Sequence, residues 1–382
     1  MPATNPRATR TRMHYGNRLK LGLFAANCSS GRTATTVDER WPATWRDNLA
    51  LAQQADDAGI DFLLPIGRWK GYGGSTDYEG TTFETLTWAA GLLGATKRIT
   101  VFGTVHAPLF HPVIAAKQIV TADHIGEGRF GLNLVCGWNE DEFEMFGIEQ
   151  KGHEDRYAHG DEWLRAMRLL WSDTEDADFE GRSFHLRRVR GKPKPWGGTE
   201  PLIMNAGASP RGQEFAIRNC DANFTSIRTA EFDERTGVMV PDLDRAVATA
   251  QSIRSRAAAL GREIGVFSRA EIYCRPTQEE AFAYYRHAAV ENADWGAVEG
   301  QLAIFGVKDD GSPEFEARKQ HHVRGFPIIG DPDRVAGVLA EVNAAGFDGL
   351  AISFVNYLNE LPYFRAEVLP RLAAAGLRAT PP

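Results

Sequence analysis

Asn133 is a polar residue in the middle of an apolar segment of this chain. Apolar residues alternate along 129–135 before a Gly-Trp break at 137–138, which predicts a short strand followed by a loop and an acidic helix. A carboxamide in the core is costly unless something hydrogen-bonds it. Either neighbouring backbone groups bond Asn133, or its carboxamide contacts a bound ligand; the rest of the chain favours a ligand.

Two further segments carry groups that suit a phosphate. Arg156 and Tyr157 are adjacent at the start of a predicted helix, where a guanidinium can bind a phosphate through two hydrogen bonds and a phenol can donate a third. Ser209 would cap the next helix, and a serine-capped helix start preceded by glycine is an anion site. Alternatively, Arg156 pairs with Glu154 or Asp161 at the surface and Ser209 is an ordinary cap.

No pattern supplies an obvious nucleophile or metal site. The sequence shows no serine-histidine-acid set, no close carboxylate pair and no histidine spacing typical of metal ligands. The glycine loop 71–74 lacks the Gly-Lys-Ser/Thr of a P-loop. The four cysteines are widely spaced, as in a reduced protein without disulfides, and Cys136 is expected to be a small buried residue. Several ligand-holding groups without a nucleophile indicate that a cofactor carries the chemistry.

Composition narrows the class of protein. The 382 residues are 43% hydrophobic and 24% charged, as in a soluble globular protein, and the net charge of −7 argues against nucleic acid as a partner. No apolar run is long enough to cross a bilayer. Residues 1–18 are basic and lack the apolar core of a secretory signal, so we expect a flexible tail, folding from Arg18 onward, and a cytoplasmic protein.

Strand-like and helix-like segments alternate nearly from end to end. Strands are predicted at 19–25, 60–66, 98–104, 129–135, 201–207, 222–226, 264–274 and 349–355. Helices are predicted at 45–58, 82–96, 112–124, 140–146, 153–171, from Ser209, and at 242–260, 277–292 and 332–345. Strands that are apolar on both faces belong to a parallel sheet covered by helices, and eight repeats favour an α/β fold of the closed (β/α)8 TIM-barrel type.

Residues 19–382 are therefore expected to form a single barrel domain with insertions at its C-terminal face. The segment at about 179–198 has the pattern of a small β-ribbon that ends in an extended proline segment. The segment at about 294–329 is polar, follows the seventh strand and would lie at the barrel mouth. His321 and His322, inside it, are expected to be solvated loop residues.

Active sites of this fold are built at the C-terminal ends of the strands. Those ends give the candidates Asn27, Gly67, Arg68, Thr104, His106, Asn133 and Trp138. No G-x-G-x-x-G follows the first strand, so the usual signal of a dinucleotide-binding sheet is absent.

Five segments resemble the bacterial luciferase-like, flavin-dependent monooxygenases: DFLLPIGRWKGYGG (61–74), RITVFGT (98–104), GRFGLNLVCGW (128–138), DRY (155–157) and NAGAS (205–209). The resemblance covers about Lys20 to Leu372. Within the family the resemblance is greatest to the members that oxidise pyrimidines, and slightly weaker to those that oxidise dimethylsulfone.

The resemblance implies a TIM barrel that uses O2 and reduced FMN (FMNH2), delivered by a separate NAD(P)H-dependent flavin reductase. A peroxyflavin would then attack an electron-poor carbon of a small organic substrate, such as a pyrimidine or another N-heterocycle.

The resemblance also implies roles for individual residues. The FMN contacts fall on Gly67, Arg68, Asn133, Glu142, Arg156, Tyr157 and Ser209. Gly67 and Arg68 would lie beside the isoalloxazine, and Asn133 would bond its polar edge. Arg156, Tyr157 and Ser209 would serve the ribityl and phosphate end. Thr104 and Asn133 match the positions that line the pocket where O2 meets the flavin, and these two are the predicted catalytic residues.

Two departures from the pyrimidine-oxidising members leave the substrate open. Gly67-Arg68 replaces a bulkier apolar residue followed by lysine, and His106 and His111 stand where those enzymes carry threonine and leucine. His106 and Trp138 are the candidate substrate contacts. A dimethylsulfone- or alkanesulfonate-type monooxygenase, a deazaflavin-dependent oxidoreductase and a non-catalytic flavin-binding protein are the alternatives. A homo-oligomer is expected, because large barrels commonly pair through their helices.

Overall fold

The structure is a computed structural model that describes residues 10–11, 13–14, 16–150, 152–233, 238–324 and 326–379. Its strands are β1 (Lys20–Phe24), β2 (Phe62–Leu64), β3 (Thr100–His106), β4 (Phe130–Val135), β5 (Ala177–Glu180), β6 (His185–Val189), β7 (Leu202–Asn205), β8 (Ala222–Phe224), β9 (Thr229–Asp233), β10 (Val238–Pro241), β11 (Gly265–Cys274), β12 (Pro327–Gly330) and β13 (Gly349–Ser353).

Eight of these strands close into a parallel barrel, which confirms the predicted fold class. Around the ring the order is β1, β2, β3, β4, β7, β8, β11 and β13, and β13 pairs with β1 to close it. Between β3 and β4 the register sets Thr104 opposite Asn133 and His106 opposite Val135. The register alone therefore places the two predicted catalytic residues side by side.

Large aromatic side chains fill the lower half of the barrel. Phe62 meets Phe102 and Phe267 edge to face, with ring centroids 5.9 Å apart in each pair. Gly131 makes room for them, because a Cβ at this position would lie 2.6 Å from the Phe102 ring. Beyond this layer, Thr104, His106 and Asn133 lie toward the C-terminal end of the barrel, here called the barrel mouth.

Helices surround the barrel and cover its rim. They are α1 (Trp45–Asp57), α2 (Thr85–Ala95), α3 (Pro112–Ile125), α4 (Glu140–Met145), α5 (His153–Trp171), α6 (Pro210–Asn219), α7 (Leu243–Ala258), α8 (Gln278–Arg286), α9 (Trp295–Ile304), α10 (Pro313–Arg324), α11 (Pro332–Ala344) and α12 (Tyr357–Ala374). The predicted helices match these within a few residues, and α5 has the predicted bounds. A side-chain cap marks the start of several of them, as at Thr44 and Ser209.

Six elements were missed by the sequence prediction: α9, α10, α12, β9, β10 and β12. Helix α12 contains Pro362 and Pro370, and internal prolines normally argue against a helix. The predicted insertion at 294–329 holds α9, α10 and most of β12, which pairs with the end of β11 outside the eight-stranded ring. His321 and His322 consequently lie on α10 and not on a loop, although their side chains are outside the described part of the chain.

The other predicted boundaries differ in detail. Residues 1–9, 12 and 15 of the predicted tail lie outside the described residues. Arg10 donates hydrogen bonds to the carbonyls of Gly128 (3.2 Å) and Trp196 (2.9 Å), and Met13 is buried, so packing begins before Arg18. The ribbon expected at 179–198 corresponds to the antiparallel pair β5 and β6. Among the described helices none is long and apolar enough to cross a membrane.

Candidate functional site at the barrel mouth

Thr104 and Asn133 are hydrogen-bonded to each other inside the barrel mouth. Thr104 Oγ1 donates to the Pro65 carbonyl (2.6 Å), and Asn133 Nδ2 donates to Thr104 Oγ1 (3.1 Å). Because the hydroxyl has only one proton, it can only accept from Asn133, which fixes the orientation of the amide. Asn133 Oδ1 is left buried without a partner among the described residues. A buried acceptor of this kind is satisfied when a ligand brings an N–H group.

Gly67 and His106 form one structural unit beside this pair. A Cβ at Gly67 would lie 2.9 Å from His106 Cε1 and 3.3 Å from Thr104 Cγ2, so a larger residue does not fit while His106 keeps its place. The two departures from the pyrimidine-oxidising pattern are thus in contact. The glycine makes room for the imidazole.

His106 is only 3% exposed, and its imidazole makes no hydrogen bond within the described part of the chain. Burial, and after it the charge of Arg68, lowers the pKa of His106 to about 4. The ring is therefore neutral at physiological pH and offers one donor and one acceptor.

Arg68 and Glu142 lie together in a buried charge network. The Arg68 guanidinium donates to Glu79 (3.1 Å), to Glu142 (3.2 Å) and to the Tyr72 hydroxyl (2.6 Å). Burial opposes the charge of Arg68, but Glu79, Tyr72 and Glu142 together outweigh it and raise the pKa of the guanidinium. Glu142 also accepts from the Trp69 N–H (2.9 Å). Contacts of Arg68 and Glu142 with FMN stay predictions, since each already has protein partners.

Arg156 links the start of α5 to the loop that follows β4. Its Nη1 donates to the Gly137 carbonyl (2.9 Å), whereas its buried Nε has no partner among the described residues. An arginine that is anchored at one nitrogen and unsatisfied at another is positioned to bind an anion.

Ser209 and Tyr157 lie at the adjoining start of α6. Ser209 Oγ accepts from the Gly212 N–H (3.1 Å), which is the predicted cap, and it lies 3.2 Å from His153 Nε2. Burial raises the pKa of Tyr157, although its hydrogen bond with Ser209 opposes the shift. The structure thus brings Tyr157 and Ser209 together, with His153 as a neighbour that the sequence prediction did not include.

Trp138 lies on the loop between β4 and α4, at the rim of the barrel mouth. It stacks on Phe305, with ring centroids 5.2 Å apart, and its ring is 5.3 Å from the Arg68 guanidinium. Asp294, which caps α9, accepts from the Thr76 N–H (2.8 Å) and so fixes the loop after β2 against α9. The insertion therefore forms one wall of the barrel mouth.

Several charged residues of the mouth were missed from the sequence. Glu79 is fully buried and bonds both Arg32 (2.6 Å) and Arg68, and nothing in its local sequence distinguishes it. Arg269 and Glu271 are paired at 3.3 Å on β11. Charges at alternate positions of an otherwise apolar strand were a signal that could have found this pair.

Other reactive groups do not contribute a nucleophile. All four cysteines are free and buried, and burial raises the pKa of Cys136 to about 12. No group of three His, Cys, Asp or Glu side chains in the described ranges is arranged to hold a metal ion.

A cavity of about 880 Å³ opens at the opposite, N-terminal end of the barrel, beside Lys20 and Asp348, away from the predicted site residues.

A family model described as Luciferase-like monooxygenase matches residues 19–349. The chain belongs to the luciferase-like monooxygenase family. An FMNH(2)-dependent dimethylsulfone monooxygenase of Pseudomonas putida is 30% identical over 368 residues, covering 92% of this chain and 94% of that protein. Pyrimidine monooxygenase RutA of Allorhizobium ampelinum is 27% identical over 361 residues, covering 92% and 95%. A solved riboflavin lyase, with modified FMN and riboflavin, has a TM-score of 0.82 at 22% identity and covers 95% and 93%.

The predicted luciferase-like family, and with it the class of monooxygenase enzymes, is confirmed. The two relatives act on different substrates at similar identity to this chain, so similarity does not choose between sulfones and pyrimidines. The roles expected for individual side chains stay predictions of this luciferase-like site.

Proposed function

We propose that the chain binds reduced FMN in the barrel mouth and uses O2 to oxygenate a small organic substrate. The observation that carries the proposal is the buried, unpaired Oδ1 of Asn133, held in one orientation by Thr104. Reduced flavin carries ring N–H groups that oxidised flavin lacks, so a fixed acceptor at this position favours the reduced form. Thr104 and Asn133 would hold the reacting edge of the ring.

The phosphate end of FMN would be bound by Arg156, Tyr157 and Ser209. The unsatisfied Arg156 Nε, the two hydroxyls and the capped start of α6 form a donor set that suits a phosphate. Bound reduced FMN supplies the two electrons that reduce O2, so that one oxygen atom enters the substrate and the other leaves as water. The ion pairs of Arg68 with Glu79 (3.1 Å) and with Glu142 (3.2 Å) would hold the loop after β2 against α4.

Reduced FMN would come from a separate NAD(P)H-dependent flavin reductase. The sequence offers no dinucleotide fingerprint after the first strand, and the Pseudomonas relative is named as FMNH2-dependent. NAD(P)H alone should therefore not reduce bound flavin at a useful rate, whereas adding an efficient flavin reductase should start turnover. Rapid reduction by NAD(P)H without a reductase would contradict this part of the proposal.

The substrate would lie beside His106, with Trp138 at the rim above it. Because the His106 ring is neutral and unpaired, it suits a polar, uncharged substrate better than a fixed ion. A pyrimidine or another N-heterocycle is the proposed class, and a sulfone is the second candidate, supported by the identity to the dimethylsulfone enzyme.

Anaerobic titration with FMNH2 tests the binding site. Arg156→Ala and Ser209→Ala should each weaken binding by about 1–3 kcal/mol, since each removes a hydrogen bond to a charged phosphate. Matched controls are Arg165→Ala, an exposed arginine of α5 paired with Asp161, and Thr44→Ala, which removes the cap of α1. Equal FMNH2 affinity in the wild type and both site variants would contradict this placement.

A further inference from the structure

Strand β11 carries two charged residues on the face that points into the barrel. Phe267 packs in the inner aromatic layer, and Arg269 and Glu271 follow at the next two alternate positions. Their strand neighbours Ser268 and Ala270 are buried on the other face. The Arg269 side chain is nevertheless 31% exposed and that of Glu271 is 10% exposed. From an inward position on a barrel strand, this exposure is to the open barrel mouth.

The ring order places this pair directly across the mouth from Thr104 and His106. Between β3 and β11 there are three strands on one path, β4, β7 and β8, and three on the other, β2, β1 and β13. The barrel mouth therefore lies between His106 on one side and β11 on the other. Neither residue of the pair was among the expected flavin contacts.

The pair has unused hydrogen-bonding capacity of both kinds. Arg269 Nη1 donates to Glu271 Oε1 at 3.3 Å, and this is the one side-chain bond that either residue makes within the described ranges. Arginine has five N–H donors and a carboxylate has two acceptor oxygens. Donors of Arg269 and the second oxygen of Glu271 are therefore both available next to each other.

Charge in the mouth is balanced. Burial, and next the nearby charge of Arg32, lowers the pKa of Arg269, and Glu271 opposes this shift. Arg32 itself is neutralised by Glu79 at 2.6 Å. The wall thus carries three arginines and three glutamates: Arg32, Arg68, Arg269, Glu79, Glu142 and Glu271. An anionic substrate would meet a carboxylate beside every guanidinium, and a buried ion without its own partner is unfavourable.

We propose that Arg269 and Glu271 together recognise an uncharged substrate that presents a carbonyl oxygen next to an N–H group, as a lactam or a secondary amide does. Arg269 donates to the carbonyl oxygen and Glu271 accepts from the N–H. The proposal rests on the proposed function, because it names the substrate class of the same mouth. It separates lactam-type heterocycles, which offer both groups, from sulfones, which offer acceptors only.

Calorimetric titration of the full-length protein under anaerobic conditions tests this inference without turnover. The probes are uracil, 1,3-dimethyluracil, dimethylsulfone and methanesulfonate, each added with and without FMNH2. We expect uracil to bind at least tenfold more tightly than 1,3-dimethyluracil, whose methyl groups remove both N–H donors, and more tightly than either sulfur compound. This comparison uses the wild type alone and so does not depend on the folding of any variant.

Variants then assign the effect to the pair. Glu271→Gln should weaken uracil binding about tenfold and strengthen methanesulfonate binding, because it leaves the Arg269 charge uncompensated. Glu214→Gln, at a surface carboxylate paired with Arg256, is the matched control and should change neither.

Three results would overturn the proposal: equal affinity for uracil and its dimethyl derivative, an unaltered probe preference in folded Glu271→Gln, or no uracil binding by protein that binds FMNH2. Failure of the wild-type protein to bind FMNH2 in the same titrations would instead contradict the proposed function.

Discussion

Replacing Thr104 by valine should destabilise the protein by about 2–4 kcal/mol before any flavin is bound. The hydroxyl both donates to the Pro65 carbonyl (2.6 Å) and accepts from Asn133 Nδ2 (3.1 Å), so valine leaves two buried polar groups without partners. Each buried group that loses its partner costs about 1–3 kcal/mol, and part of this is recovered by local movement. Thr104→Ser keeps the hydroxyl and loses one methyl group, which costs about 1 kcal/mol.

Urea unfolding of the flavin-free protein, followed by circular dichroism, measures this difference. Thr85→Val is the matched comparison, because the buried Thr85 hydroxyl donates to the Thr104 carbonyl (2.6 Å) and its loss leaves one group unpaired. We expect the order Thr104→Val, then Thr85→Val, then Thr104→Ser, from most to least destabilised. If Thr104→Val is no less stable than Thr104→Ser, the hydroxyl does not hold Asn133 and the reasoning on its orientation is wrong.

Three further outcomes follow from the same packing and charges. Gly67→Ala should lower the free energy of unfolding by about 1–3 kcal/mol, because the new methyl group would press on His106. In a His106→Ala background this loss should nearly vanish. Additive effects of the two substitutions in a double-mutant cycle would contradict the contact. The pKa of His106 is about 4 in the folded protein and about 6.5 in the unfolded chain, so protonation favours unfolding. Between pH 7.5 and pH 5 the wild type should therefore lose about 2 kcal/mol more stability than His106→Gln. Equal losses would refute the buried, neutral ring. All four cysteines are buried, so Ellman's reagent should react with them only after unfolding, and rapid labelling of Cys136 in the native protein would show it to be accessible.

The order and type of the barrel elements could be predicted from the sequence because each strand is a short apolar run and most helices begin with a clear cap. The same reasoning failed where local propensity and tertiary structure disagree. Helix α12 was missed because its internal prolines, Pro362 and Pro370, normally argue against a helix. Strand β12 was missed because its four residues are too few to show a strand pattern distinct from the preceding insertion.

Site residues at strand ends could be predicted from the sequence, whereas those that depend on tertiary contacts could not. The strand ends of β3 and β4 pointed to Thr104 and Asn133, and the parallel register then made them neighbours. Glu79 could not be found in this way, because it lies in a loop and its importance comes from bonding two arginines that are distant in sequence. The contact between Gly67 and His106 likewise depends on the packing of two strand ends.

The most direct test of the account is the fate of oxygen in Asn133→Ala. FMNH2-loaded protein is mixed with 18O2 and substrate in a single turnover, and labelled product is counted against peroxide released. Without Asn133 the reacting edge of the flavin is no longer held in place, and a misplacement of about 1 Å can cost about a hundredfold in rate. The account therefore predicts about a hundredfold less product per FMNH2, while FMNH2 binding, which also depends on the phosphate contacts, falls by less. Asn48→Ala, which removes a buried asparagine bonded to Trp88 on the outer helices, should couple oxygen to product as the wild type does. Wild-type coupling in Asn133→Ala would contradict the account and make Asn133 a structural residue.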